Sequence, residues 1–143
     1  MLGEKQPDYR VKRLLDQLGL AYQLDGGDYI VEFQIEGGRS QNVVISSETE
    51  EVEGLEIRRV WTMGLRSDSP LHADVANALL VYNANCPIGA WQLVRHKDGK
   101  GCSALFVVPV STNTTATSLR SVMHAVARAG DELEEKFTGE DAF

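Results

Sequence analysis

Residues 88–110 read IGAWQLVRHKDGKGCSALFVVPV, and this stretch decides how the rest of the chain folds around it. Asp98-Gly99 separates two runs of strand-forming residues, and the pair favours the positive φ of a tight turn, so 88–97 and 101–110 are predicted to form an antiparallel hairpin. Its second run is apolar at both odd and even positions, from Ala104 through Val110. Helices packed on one side of such a sheet would cover one face only, and something else must cover the other: the chain itself, a second subunit or a client segment.

On the N-terminal side of the hairpin, Ser69-Pro70 reads as an N-cap and first-turn proline opening a helix. Its stripe is Leu71, Val75, Ala78, Leu79 and Tyr82, and it stops near Cys86-Pro87. On the C-terminal side, STNTTATS at 111–118 reads as a loop and cap before a helix over 117–137, with Leu119, Val122, Met123, Val126, Gly130, Leu133 and Phe137 on one face. Val11, Leu14, Leu15 and Leu18 predict a first helix over 7–18, with Pro7 in its first turn and Gly19 past its end. After Gly26-Gly27 the period changes to two. Tyr29, Val31, Phe33 and Ile35 form an apolar face opposite Ile30, Glu32, Gln34 and Glu36. Gly37-Gly38 predicts a turn into a second strand around Val43, Val44 and Ile45. The acidic stretch through Glu53 and Gly54 reads as a loop, and Leu55–Met63 as a third strand.

The resulting order is α-β-β-β-α-β-β-α, an α+β domain with helices packed on an antiparallel sheet, expected as one domain over 1–143 with residues 1–6 and 138–143 frayed. The chain has 143 residues, enough for a single core without a staple. Its net charge of -7 disfavours duplex binding, which needs clustered cations. No apolar run reaches the ~18 residues that span a bilayer, and the N-terminus has no signal-peptide core, so a cytoplasmic location is expected. Cys86 and Cys102 match no zinc or disulfide pattern and are expected to pack as small apolar residues.

The open question of the two-faced hairpin extends to its neighbours. Trp61, Met63, Trp91, Val94, Phe106 and Val108 are the candidate partner- or dimer-binding residues, because aromatic and Met side chains are favoured at binding surfaces. No catalytic, cofactor or metal residues are assigned. His72, His96 and His124 fall on separate elements without metal-ligand spacing, and KDGKGC at 97–102 lacks the full spacing of a phosphate loop.

The segment Ala78-Leu79-Leu80-Val81-Tyr82-Asn83-Ala84-Asn85, then Pro87-Ile88-Gly89-Ala90-Trp91, a hairpin and a long terminal helix, resembles the YbjN-like family. So do Leu18-Gly19-Leu20 and Gly27-Asp28-Tyr29. That family comprises candidate bacterial sensory transduction regulators and is similar in fold to type III secretion chaperones. The resemblance implies the same element order, a homodimer and a role in binding or regulating a protein, with no catalytic residues to carry over. The long acidic loop and the Thr-rich segment depart from the family pattern.

The leading expectation is therefore a dimeric, non-enzymatic binding module. In it the second helix and the last hairpin pair two subunits, and exposed strand faces hold a client. The alternative is a small-molecule-responsive regulator or an enzyme with a pocket between sheet and helix.

Overall fold

The computed structural model describes residues 5–139, with side chains as far as Lys136. Helix α1 spans Tyr9–Leu18, followed by β1 (Gln23–Asp25), β2 (Asp28–Ile35), β3 (Arg39–Ile45), β4 (Glu50–Val52) and β5 (Leu55–Ser67). Helix α2 is Ala73–Ala84. The hairpin β6 (Ala90–Arg95) and β7 (Cys102–Ser111) then leads into α3, Ala116–Gly139. All strands join one antiparallel sheet in the order β1-β2-β3-β5-β7-β6, with β4 beside the start of β5.

Every predicted element is present, and two short strands are added. The acidic stretch is not only a loop: Glu53 and Gly54 both take positive φ (51° and 83°) and turn the chain so that β4 pairs with β5. Its Glu-Glu-Val sequence has little strand propensity, and the strand exists because a long partner is beside it. Strand β1 forms in the same way against the start of β2. Two helix starts also shift. Asp8 caps α1, so Pro7 precedes that helix, and His72 caps α2, so Ser69-Pro70 lies in the segment leading to it.

The cross-strand partners separate two faces. Tyr29, Ile45, Val60 and Val108 form one row, and Thr62, Phe106 and Trp91 the next. These residues are buried together with Val11 and Leu15 of α1, Val75 and Leu79 of α2, and Leu119, Met123 and Val126 of α3. All three helices therefore lie on one side. Helix α3 crosses β3, β5 and β7 at close range because residue 130 is glycine: a Cβ there would meet Gln41 Nε2 at 2.7 Å and Thr62 Cγ2 at 2.8 Å. Between Met63 and Leu65 a bulge returns Leu65 to the core side, and a side chain on Gly64 would collide with the Trp91 ring and Leu133. Of the two cysteines, Cys102 is buried and Cys86 half-buried against the core. The side chain of Phe137 and the terminal residues expected to fray beyond 5–139 lie outside the described residues.

Candidate functional site

Among the described residues the opposite face of the sheet carries no helix. Ile30, Val44, Trp61, Val107 and Ala90 are successive cross-strand partners, so they form one apolar row across β2, β3, β5, β7 and β6. Side chains two residues apart share a face, which adds Met63, Leu105, Gln92 and Val94 to this side. Met63 is 46% exposed and Val94 45%. A basin of about 450 Å³ opens here, with Trp61, Val94, Leu105 and Val107 on its floor. Its rim is charged and largely self-paired: Lys5 bonds Asp28 (3.1 Å) and Arg59 bonds Glu50 (3.0 Å). An apolar floor inside a polar rim is the anatomy of a protein contact surface.

The six candidate residues divide between the two faces. Trp61, Met63 and Val94 meet on the open face. Trp91, Phe106 and Val108 point the other way and are buried in the core, which removes them from any partner-binding role. The parity of the hairpin explains the correction. Trp91 and Val94 are three residues apart and must face opposite sides, and Phe106 and Val108 share the register row of inward-facing Thr62 and Val60. The hairpin's second apolar set is instead Leu105 and Val107. Ile30 and Val44 carry no partner-binding signal in the sequence because each is the lone apolar residue on the otherwise polar face of its strand, and only register joins them to Trp61. Helix α2 lies on the covered side of the sheet with its outward Leu80 and Val81 exposed, so it cannot share a contact made by the open face.

The remaining chemical groups are dispersed. His72 caps α2, His96 Nε2 lies 2.9 Å from the Ser103 hydroxyl, and His124 stacks edge-to-face on Phe33. Among the described residues no group of three His, Cys, Asp or Glu side chains could hold a metal ion. Among the described residues no helix is long and apolar enough to cross a membrane. An open cleft of about 440 Å³ between α2, α3 and β7 holds Tyr82, Cys86, Arg128 and Glu132. Burial, and then donation of its hydrogen bond to Glu132 (3.0 Å), push the Tyr82 hydroxyl up to about 12. Tyr82 is therefore a neutral donor in this cleft and not a base.

A charged cluster ties α1 to the corner of the sheet beside the basin. Arg10 donates to both Asp8 (2.8 Å) and Glu56 (2.9 Å), and the buried Arg58 donates to Asp8 (2.7 Å). The Arg10 hydrogen bond holds the Asp8 carboxyl well below its ordinary range, with Arg58 assisting against the opposing effect of burial. Arg10, then Thr49, lower Glu56 to about 2. Since folding depresses both carboxyls below their ordinary 3.8 and 4.5, their contribution is present above about pH 4.5 and is lost as pH falls, through about 2 for Glu56 and lower for Asp8. The thermal midpoint is expected to hold steady down to about pH 5 and then fall. Glu56→Gln should shallow that fall when circular dichroism melts are compared. Parallel acid profiles would mean that this cluster does not couple to folding.

No protein-family model matches the chain, and no curated protein matches it. Among solved structures, the crystal structure of YbjN from E. coli, described as a candidate transcription regulator, matches with a TM-score of 0.56. The match covers 92% of this chain and 90% of that one at 9% sequence identity. The chain has a YbjN-like fold, in agreement with the resemblance carried by residues 78–91.

Proposed function

We propose that this chain is a non-enzymatic protein-binding module, chaperone-like or regulatory, that pairs with a second copy of itself through the open sheet face and serves a protein partner. One observation carries the reading. An apolar row crosses five strands on a face over which none of the described helices lies, and Ile30, Val44, Trp61 and Ala90 stay half-buried there around a buried Val107, where a solvated face would carry polar residues. Two copies stacked face to face would supply that layer by isologous contact of Trp61, Met63, Val94 and Leu105 with their counterparts. A regulatory role accords with the description of the YbjN neighbour. The acidic balance favours a protein partner over a duplex, and free cysteines suit the reducing cytoplasm.

Light scattering across a dilution series is expected to give twice the chain mass of 15.7 kDa. Met63→Glu combined with Val94→Glu should give the monomer mass with an unchanged circular dichroism spectrum. A wild-type monomer at every concentration would end the self-pairing reading. It would leave the cleft around Tyr82, Cys86 and Arg128, and with it a small-molecule-responsive regulator or an enzyme, as the reading to pursue.

A further inference from the structure

Strand β6 is an edge strand, and its backbone is only partly used. The His96 N–H donates to Gly101 O (2.9 Å), toward β7, while the Trp91 N–H donates to Asn83 Oδ1 (2.7 Å) and Trp91 O accepts from Asn83 Nδ2 (3.2 Å). In an antiparallel strand these directions alternate, so residues 92, 94 and 96 bond inward and residues 91, 93 and 95 point their N–H and C=O groups outward. Asn83 acts as a one-residue strand partner that closes the edge at Trp91. Among the described residues no side chain bonds the outward groups of Leu93 and Arg95 in this way.

Beside this open part of the edge, on the helix side, lies a cleft of about 440 Å³ formed by Leu71, Ala76, Leu93, Arg95, Lys100 and the turn between β6 and β7. Two cations line it and no carboxylate does, in a chain with 21 acidic and 14 basic residues. Neither the Arg95 nor the Lys100 side chain is ion-paired within the described residues, which is also true of Arg13, Arg66, Lys97, Arg120 and Arg128, but Arg95 and Lys100 share one cleft.

We infer that this edge and cleft take a short extended segment of a partner protein in which acidic residues alternate with apolar ones. The register dictates the alternation. A residue opposite Leu93 exchanges both backbone hydrogen bonds with it and projects its side chain to the same side, into the cleft, where a carboxylate meets Arg95 and Lys100. Its neighbours project to the other face beside Val94, which is exposed and apolar. Because Asn83 holds the Trp91 groups, the added strand stops there and is only a few residues long. The main chain supplies affinity and the alternating side chains supply selection, as in other strand-addition contacts. This site borders the self-pairing face at Val94 and otherwise lies on the strand edge and the helix side of the sheet.

The test uses a random dodecapeptide display library selected on the intact wild-type chain. Synthetic versions of the selected peptides are then titrated by fluorescence anisotropy. Selection is expected to enrich acidic residues at every second position with apolar residues between. Arg95→Glu with Lys100→Glu should weaken binding by about tenfold or more, since two attractions become repulsions. Arg95→Gln with Lys100→Gln serves if that variant does not fold. Proline at the position opposite Leu93 should weaken binding similarly, and amide exchange at Leu93 and Arg95 should slow in the complex. The mass of each chain by light scattering is recorded beside its peptide affinity, so loss of self-pairing and loss of this site are read separately. Selection without acidic alternation, or equal binding by the charge variants, overturns the proposal. Undiminished binding of the proline peptide overturns the edge pairing.

Discussion

Replacement of Phe106 by aspartate is expected to abolish the folded state. The side chain is 1% exposed and packs edge-to-face on Trp91 and Tyr82, with ring centroids 5.4 and 6.1 Å away. Truncating a buried phenylalanine costs about 3–5 kcal/mol, and an unpaired carboxylate in the same space costs several more, against a total stability of about 5–15 kcal/mol for a domain. Leu105, its neighbour in the chain, faces the other way. Leu105→Asp is expected to keep the circular dichroism spectrum and a cooperative melt while weakening self-association. The contrast isolates the assignment of faces, since hydrophobicity and strand propensity are similar at the two positions. A folded Phe106→Asp chain, or a Leu105→Asp chain that unfolds like it, would reverse the two sides of β7.

The sequence showed where strands and helices lie far better than it showed which way strand side chains point. Helix α3 was legible as Leu119, Val122, Met123, Val126 and Leu133 because helical spacing alone marks its buried face, and those residues are buried. In β7 the same logic fails. With apolar residues at every position, alternation carries no sign, and only pairing with β5 distinguishes Phe106 from Leu105. The open-face row shows the limit from the other side. Ile30 looks out of place in a strand whose neighbouring outward residues are Glu32 and Gln34, and its meaning appears when Val44 and Trp61 fall beside it. Asn83 is a similar case: it lies in the segment that carried the family resemblance, yet its role depends on α2 lying against the Trp91 backbone. Strand β4 was missed because Glu-Gly carries less turn signal than Asp-Gly and because three residues form a strand only beside β5.

Asp8→Ala is the second large effect, about 3–5 kcal/mol, and it acts mainly through a residue 50 positions away in sequence. Asp8 caps α1 by accepting from the Arg10 N–H (2.9 Å) and pairs with Arg58, whose side chain is only 4% exposed. Losing the cap costs about 1 kcal/mol. The larger cost falls on Arg58, which would retain only the carbonyls of Ser46 (2.9 Å) and Ser47 (3.3 Å) as acceptors, leaving a buried cation without a counter-charge. Asp8→Asn keeps a capping oxygen but not the charge, so its loss should be intermediate. Adding Arg58→Met to Asp8→Ala should recover much of the stability, because the uncompensated charge is removed. Urea unfolding of the wild type, Asp8→Ala, Asp8→Asn, Arg58→Met and the double variant measures this directly. Additive losses in the double variant would show that the pair contributes by packing and not by charge. The same carbonyls fix the β3–β4 corner, which places Ser46, Glu48 and Glu50 on the rim of the open-face basin. Asp8→Ala should therefore also weaken self-association in whatever fraction remains folded, which links the ion pair at one end of the sheet to the surface proposed to bind.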